Sequence, residues 1–412
     1  MTIQEPSIHV LDNGMRVVYL YDDAMVSHLG VTVLGGSRYE KEGEEGLAHF
    51  LEHCIFKGTT RRRAFHILSR LDSVGGELNA YTTKEEICIY ASFALEHLNR
   101  ASELLADITF NSTFPVKEIE KEKEIVLDEI NSYLDSPSDK IFDDFEAYMF
   151  DNHSLGNNIL GTKESVKSFT PKDLQDYVDR FFYPDNIVLS FVGNSPVNKV
   201  LKRLNKDFGQ YAANRPKQTP SAVSKYNPFE KRIKEANYQT HIVLGGLAPG
   251  FNDSNRRVMT LLINMLGGPA LNSRLVLSVR EKHGYSYNIE ANYTPYQDLG
   301  YWCVYAGTDP SYTNKTLKVI KKELTRFRNE TLTPSQLNKA KTQLKGHIAL
   351  GMDSNSGLML NFGKSLLIFN QIDTLEEIHK AIDEISAEEI KEMAQQFFNP
   401  DQISSLVFDV KR

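Results

Sequence analysis

An internal repeat of a helix, a turn and a strand limits the folds that this chain can adopt. The segment SFTPKDLQDYVDRFFYPDNIVLSFVGN (168–194) matches EISAEEIKEMAQQFFNPDQISSLVFDV (384–410) at a constant offset of 216. In each copy a Thr or Ser precedes a helical pattern, as an N-cap does, and a Pro-Asp turn leads into a strand-like run. The sequence therefore predicts two homologous halves.

A second, weaker match supports the duplication. At an offset of 218, the pattern Ile119, Lys121, Lys123 lies against Leu337, Lys339, Lys341. A small difference in loop length between the two halves reconciles the two offsets.

Chain length and loop composition then suggest the domain boundaries. A chain of 412 residues is too long for one ordinary core. We predict an α+β protein of two homologous domains, 1–208 and 230–412, each a largely antiparallel sheet covered by helices. The polar stretch 209–229, with three prolines, is the predicted linker.

Local patterns predict the elements of the first half. HVLDNGMRVVYL is typical of a hairpin, because Asp-Asn-Gly separates two apolar runs. A strand is expected at 28–34 and a helix at about 46–56. Two strand segments should flank Gly75-Gly76, the second at roughly 78–93, and long helices should follow at about 94–109, 115–134 and 138–150.

Composition excludes several classes of function. A formal charge of −7 without a Lys/Arg-rich tract argues against a nucleic-acid partner. We expect no membrane span, since no apolar run approaches the ~20 residues that a membrane helix needs. Three cysteines without a CxxC pair and an N-terminus without a signal-peptide pattern predict reduced thiols and a cytoplasmic location.

The segment His49-Phe50-Leu51-Glu52-His53 carries the chemistry. On a helix, positions i and i+4 lie one turn apart on one face, so both imidazoles can reach one ion, and Glu52 shares that face. The order H-x-x-E-H is the inverzincin motif, in which the free carboxylate serves as general base. The alternative interpretation is two histidines on an ordinary helix.

The predicted helix at 115–134 offers a third ligand. Glu122 and Glu129 fall on the apolar stripe formed by Ile119, Val126 and Tyr133. Carboxylates on a buried face are costly unless they are paired or bind a metal, so salt bridges are the alternative. The helical pattern does not choose between the two glutamates.

At this point the chain resembles a known family, the M16 (pitrilysin-like) zinc peptidases. GLAHFLEHCIFKGT (46–59) is similar to the family signature, and EKEIVLDEINSYLDSP (122–137) is similar to the helix that carries the third ligand. The resemblance implies the LuxS/MPP-like metallohydrolase fold and one zinc ion per chain.

The resemblance also implies a role for each polar residue of these two motifs. The zinc ligands would be His49, His53 and Glu129, which lies 76 positions after the second histidine. Glu52 would be the general base. Glu122 would be an acid behind the ligands that orients one of them.

GGELNAYTTKEEICIY (75–90) resembles the family strand that receives substrate. The resemblance implies that Asn79 and Ala80 hydrogen-bond an extended peptide, which adds to the sheet as one more strand. From the residues alone, an ordinary internal strand after a Gly-Gly turn is the alternative.

LGGPALNSRLVLSVREKHGYSYNIEA (266–291) resembles the family's arginine/tyrosine motif. Arg280 and Tyr287 occupy its positions and would reach the metal site to hold the substrate carbonyl. Tyr285, two residues away, can face the same side of a strand, so it remains an alternative.

The second half lacks the metal motif. The offset of 218 sets Gly267 opposite His49 and His347 opposite Glu129, and no His-Glu-His cluster occurs there. We therefore expect residues 1–208 to form the catalytic domain and 230–412 a catalytically silent domain that supplies substrate contacts.

The resulting hypothesis is a zinc-dependent endopeptidase that cleaves short or unfolded polypeptides inside the chamber of a homodimer. One alternative is a non-catalytic or regulatory subunit of a heterodimeric peptidase, and an active heterodimer is a milder version of it. A small-molecule metallohydrolase is a more distant alternative. Manganese or cobalt also fits a ligand set of two histidines and a glutamate.

Overall fold

The first sheet is mixed and almost entirely antiparallel. The computed structural model describes residues 5–211, 218–223 and 225–411. The described strands of this sheet lie in the order β1-β2-β6-β3-β5-β4, and only β2 and β6 run parallel. Their bounds are β1 Ser7–Val10, β2 Arg16–Tyr21, β3 Val26–Leu34, β4 Glu77–Thr82, β5 Glu86–Ala94 and β6 Ile187–Gly193.

The second sheet repeats this pairing. Its described strands lie in the order β7-β11-β8-β10-β9, with the parallel pair β7 and β11 in the place of β2 and β6. The bounds are β7 Glu230–Glu235, β8 Thr240–Ala248, β9 Ser286–Pro295, β10 Gly300–Thr308 and β11 Ser404–Val410. The predicted α+β class with two largely antiparallel sheets is confirmed.

Helices cover both sheets. In the first half they are α1 Leu47–Cys54, α2 Ala64–Asp72, α3 Leu98–Phe110, α4 Val116–Leu134, α5 Pro137–Met149, α6 Lys163–Ser168, α7 Pro171–Phe181 and α8 Val197–Phe208. In the second half they are α9 Arg256–Gly267, α10 Thr313–Asn329, α11 Pro334–Gly351, α12 Asn355–Phe369, α13 Leu375–Glu384 and α14 Ala387–Phe397, with a π-helix at Val276–Glu281.

The repeat found in the sequence has a physical counterpart in the helix caps. Thr170 begins α7 and Ser386 begins α14, and each side chain accepts the backbone N–H of the third helical residue in a reciprocal capping box. Both helices are followed by a short 3₁₀ turn at the Pro-Asp pair and then by the strand, β6 or β11. The first residues of α4 and α11, Val116 and Pro334, are related by the offset of the weaker match.

Three local predictions were wrong. The segment before Gly75 is helix α2 and not a strand, because Ile67 and Leu71, one helical turn apart, are its buried residues. The strand expected at 78–93 is a hairpin, β4 and β5, broken at 83–85. The offset of 218 does not extend to α1, since His49 is the third residue of α1 whereas Gly267 is the last residue of α9.

The chain folds into two compact units that each borrow a helix from the other half of the sequence. The first unit contains the described residues up to 131, those within 157–221 and those of 351–374, so α12 belongs to it and packs on β3 and β6. The second unit contains 132–156, the described residues within 222–350 and those from 375 onward, so α5 belongs to it and packs on β8 and β11. Because the first residues of α5 and α12 are related by the same offset as those of α4 and α11, the two borrowed helices are equivalent positions of the repeat.

The predicted linker, 209–229, is described only in part. Residues 212–217 and 224 lie outside the described residues, and the described remainder forms neither helix nor strand. At its end the chain is held to the second unit, where Tyr226 donates a hydrogen bond to the carbonyl of Gln402 and the Phe229 ring packs against Phe145.

Candidate metal centre

Helix α1, which carries the HxxEH motif, is short and held by its apolar side. Leu47, Phe50, Leu51 and Cys54 are buried. At its N-terminus the carboxyl group of Glu40 accepts the backbone N–H groups of Gly46 (3.0 Å) and Ala48 (2.8 Å). A carboxyl group at this position satisfies N–H groups that a helix leaves unpaired.

A close contact between two glycines fixes the entry into α1. Gly46 has φ +90° and Gly161 has φ +76°, both in the left-handed region. A Cβ on Gly46 would lie 2.6 Å from the carbonyl oxygen of Leu160, and a Cβ on Gly161 would collide with the carbonyl oxygen of Glu45. The loop before α6 therefore holds the start of α1, the helix that carries His49 and His53.

The three predicted ligands converge. One ligand atom from each of His49, His53 and Glu129 lies within 4.8 Å of the other two, the one such group of His, Cys, Asp or Glu found among the described residues. Glu129 Oε2 lies 3.8 Å from His49 Nε2 and 3.5 Å from His53 Nε2. Helix α4 thus brings a carboxylate to the histidine pair.

This arrangement fits a zinc ion. Bonds of about 2.0–2.1 Å in tetrahedral geometry separate neighbouring ligand atoms by about 3.4 Å, close to the spacings between Glu129 and the histidines. Burial, and then the charge of the neighbouring His53, lower the pKa of His49 to about 4. His49 is therefore neutral at physiological pH, the form that binds a metal.

Glu122 faces Nδ1 of His53, whereas Glu129 faces Nε2 of both histidines. Its side chain is only 6% exposed, against 44% for Glu129, so the two glutamates of α4 occupy different environments. Oε2 of Glu122 lies 3.4 Å from His53 Nδ1, and Oε1 lies 2.7 Å from Lys57 Nζ. Burial alone would raise the pKa of Glu122, but the hydrogen bonds from His53 and Lys57 together hold it below its usual value.

Glu52, the predicted base, is held from β4. The hydroxyl of Thr82 donates a hydrogen bond to Glu52 Oε2 at 2.6 Å. Burial raises the pKa of Glu52, although the Thr82 hydrogen bond and the charge of His53 lower it. A carboxyl group with a raised pKa can accept a proton and return it near neutral pH, as a general base must.

Strand β4 is the edge strand next to this site. Among the described strands it has a neighbour, β5, on one side only. Asn79 is exposed, and its Oδ1 accepts the backbone N–H of Ala80 at 2.9 Å. The side chain of Asn79 thus occupies a backbone donor of this edge strand.

Arg280 and Tyr287 lie in the second unit. Arg280 is on the π-helix, an irregularity frequent at functional sites, and its guanidinium lies 4.7 Å from the centre of the exposed Tyr287 ring. Tyr285 instead stacks on His283 and Tyr312. Of the two tyrosines left open by the sequence, Tyr287 is the one that contacts Arg280.

Comparison with known families agrees with this geometry. The model for the insulinase family (peptidase family M16) matches residues 16–163, and the model for the peptidase M16 inactive domain matches residues 168–344. Together they span most of the chain. The chain belongs to peptidase family M16.

Curated relatives match along nearly the whole chain. An uncharacterized zinc protease of Bacillus subtilis, YmxG, is 34% identical over 97% of both chains. One of Mycobacterium leprae is 33% identical over 94% of this chain and 88% of its own length. The crystal structure of a Helicobacter pylori protease superposes with a TM-score of 0.91 over 99% of this chain and all of its own, at 20% identity, which supports the fold.

Sequence reasoning missed three residues of this M16 site: Glu40, Lys57 and Thr82. Lys57 and Thr82 stood inside the family motifs, so their place in those motifs was the available signal. No sequence signal pointed to Glu40, because its contact with Gly46 and Ala48 depends on how the loop before α1 folds back. No described helix combines the length and hydrophobicity that crossing a membrane requires.

Proposed function

We propose that this M16 chain is a zinc-dependent endopeptidase that hydrolyses short or unfolded polypeptides. The observation that carries the proposal is the convergence of His49, His53 and Glu129, with Glu52 on the same helix as the two histidines. The intact ligand set favours an active enzyme over a non-catalytic subunit.

Substrate would bind as an additional strand on β4. The open edge offers backbone donors and acceptors to any extended peptide. The enzyme would therefore select substrates for an unfolded, extended conformation and not for particular side chains. The peptide would displace the Asn79 carboxamide from the Ala80 N–H and take that donor for its own carbonyl.

His49, His53 and Glu129 would hold the zinc ion. When bound, zinc polarises a peptide carbonyl and lowers the pKa of a coordinated water. Glu52 would accept the proton of the attacking water and return it to the leaving amine, and the Thr82 hydroxyl would keep its carboxylate oriented. Arg280 and Tyr287 would stabilise the negative charge that develops on the carbonyl oxygen.

The remaining parts of the proposal concern assembly and location. We expect two identical chains to enclose a chamber that admits unfolded peptides and excludes folded proteins by size. The proposed location is the cytoplasm, which is consistent with three cysteines that are all free and buried.

The experiment is a peptide digest with matched variants. Purified protein should cleave an unstructured peptide, and a chelator should abolish cleavage until zinc is restored. Glu52→Gln should retain zinc, because it is not a ligand, and lose at least about 10²-fold in kcat. His49→Ala should lose both zinc and activity.

Two results would contradict this scheme. Full cleavage by Glu52→Gln would eliminate Glu52 as the base. Bound zinc without cleavage of any unstructured peptide would favour the regulatory-subunit alternative.

A further inference from the structure

The carboxylate of Glu122 is divided between two partners, one for each oxygen. Oε1 is paired with the ammonium of Lys57 at 2.7 Å, and Oε2 faces His53 Nδ1 at 3.4 Å. The carboxylate is almost fully buried. A planar carboxylate held at both oxygens has a fixed orientation, so Lys57 helps to determine where the oxygen that faces His53 lies.

Lys57 occupies a backbone position tied to both ligand-bearing helices. Its N–H donates to the carbonyl of Cys54, the last residue of α1, at 3.1 Å. The next residue, Gly58, accepts the N–H of Thr113 at 3.1 Å, and a Cβ on Gly58 would lie 3.0 Å from Pro115, directly before α4. The ammonium therefore projects from a loop anchored beside α1 and α4.

The two histidines differ in what contacts Nδ1, the ring nitrogen that is not the proposed metal ligand. Nδ1 of His53 faces Glu122. Nδ1 of His49 is buried and finds no hydrogen-bond partner among the described residues. A carboxylate behind a metal-binding imidazole fixes its tautomer and ring plane, so the orientation of His53 depends on Glu122 in a way that has no parallel at His49.

We propose that Lys57 is a positioning residue of the metal centre. By holding Glu122, it keeps the His53 ring turned with Nε2 toward Glu129, and it thereby raises the affinity of the site for zinc. This inference rests on the proposed zinc site and adds a residue that touches neither the ion nor the substrate.

The test is zinc affinity, measured by competition with a chromophoric chelator. Lys57→Met removes the ammonium while keeping most of the aliphatic stem, and it should weaken zinc binding by about 10–100-fold, as loss of an outer-shell partner does. Lys57→Arg, which restores a cationic donor, should recover most of the affinity. Lys121→Met is the matched control, because Lys121 is an exposed lysine of α4 that pairs with Glu118. The zinc affinity of this variant should equal that of the wild type.

A double-mutant cycle distinguishes positioning from a general structural effect. If Lys57 acts through Glu122, Lys57→Met should weaken zinc binding little further in a Glu122→Gln background. Urea unfolding of the metal-free proteins reports any loss of the fold itself. Lys57→Gln replaces the Met variant if the latter does not fold, and the same loss of affinity is expected.

Each result has a definite consequence. Wild-type affinity in Lys57→Met, or a double variant whose loss equals the sum of the single losses, would overturn this inference. A wild-type protein that binds no zinc would overturn both this inference and the proposed function. Zinc binding that depends on Lys57 in a protein that cleaves no peptide would support the inference and overturn the proposed function alone.

Discussion

Thr82 shows how a single residue outside the HxxEH motif can govern the motif's chemistry. Its hydroxyl is the donor to Glu52, and it is delivered from β4, the same strand proposed to bind substrate. A hydrogen bond to a charged group contributes about 1.5–3 kcal/mol. Loss of this one would leave the carboxylate of Glu52 free to rotate away from the water that Glu52 is proposed to deprotonate.

We predict that Thr82→Val lowers kcat by about 10-fold or more, since valine keeps the shape and the strand preference but removes the donor. Zinc content should not change, because the side-chain hydrogen bond found for Thr82 among the described residues goes to Glu52 and not to a proposed ligand. Thr82→Ser should restore turnover. Steady-state kinetics and metal analysis of both variants provide the check, and equal kcat values for Val and wild type would refute the assignment.

Glu40 makes the stability of this protein depend on pH. Burial raises its pKa to about 8, although the N–H groups of Ala48 and Gly46 lower it. A carboxyl group whose folded pKa lies above its unfolded value of about 4.5 stabilises the fold fully below pH 4.5, and that contribution is lost as pH rises through 8.

Glutamine cannot ionise, so we predict that Glu40→Gln makes the stability of the protein less dependent on pH. The stability of the variant relative to wild type should rise between pH 5 and pH 9, by on the order of a few kcal/mol. Urea unfolding midpoints at several pH values measure the effect. Parallel curves for the two proteins would show that Glu40 does not titrate in this range.

Among the elements, the position of the candidate metal site depends on how the loop before α1 meets the loop before α6. The contact between Gly46 and Gly161 leaves no room for a side chain, and both residues have backbone angles that favour glycine. Helix α1 has only eight residues, too few to be stable alone, so its position is set by such contacts.

We predict that Gly161→Ala destabilises the protein by about 1–3 kcal/mol, from backbone strain and the collision with the carbonyl of Glu45. Gly346→Ala is the control. Gly346 lies inside α11 with nothing near the added methyl group, so this change should stabilise by roughly 0.5–1 kcal/mol. Urea denaturation should show changes in the free energy of unfolding of opposite sign for the two variants. A Gly161→Ala protein as stable as the wild type would contradict the packing argument.

At the scale of the whole molecule, the prediction concerns assembly and size selection. Light scattering should give twice the 46.8 kDa of one chain. An unstructured peptide should be cleaved, and the same sequence within a folded domain should resist, because a chamber excludes folded proteins. A monomer that cleaves both at similar rates would refute the dimer chamber.

Much of the fold and part of the site followed from the sequence alone. The repeat, the capped helices α7 and α14 and the helix that pairs His49 with His53 were all predicted correctly, because each depends on neighbours within a few turns or on comparison of one half with the other. The family resemblance chose Glu129 over Glu122, and the distances to the histidines agree with that choice. The segment of α2 was missed because its apolar residues are too few to distinguish a short helix from a strand.

Contacts between residues far apart in the chain could be found only in the folded protein. These contacts include the hydroxyl that holds Glu52, the ammonium that holds Glu122 and the carboxyl group of Glu40 at the start of α1. The placement of α12 on the first sheet and of α5 on the second is of the same kind. The physical reason is that periodicity and capping are local and leave their mark in the sequence. The partner of a buried polar group is set by the packing of whole elements, which no short stretch of sequence encodes.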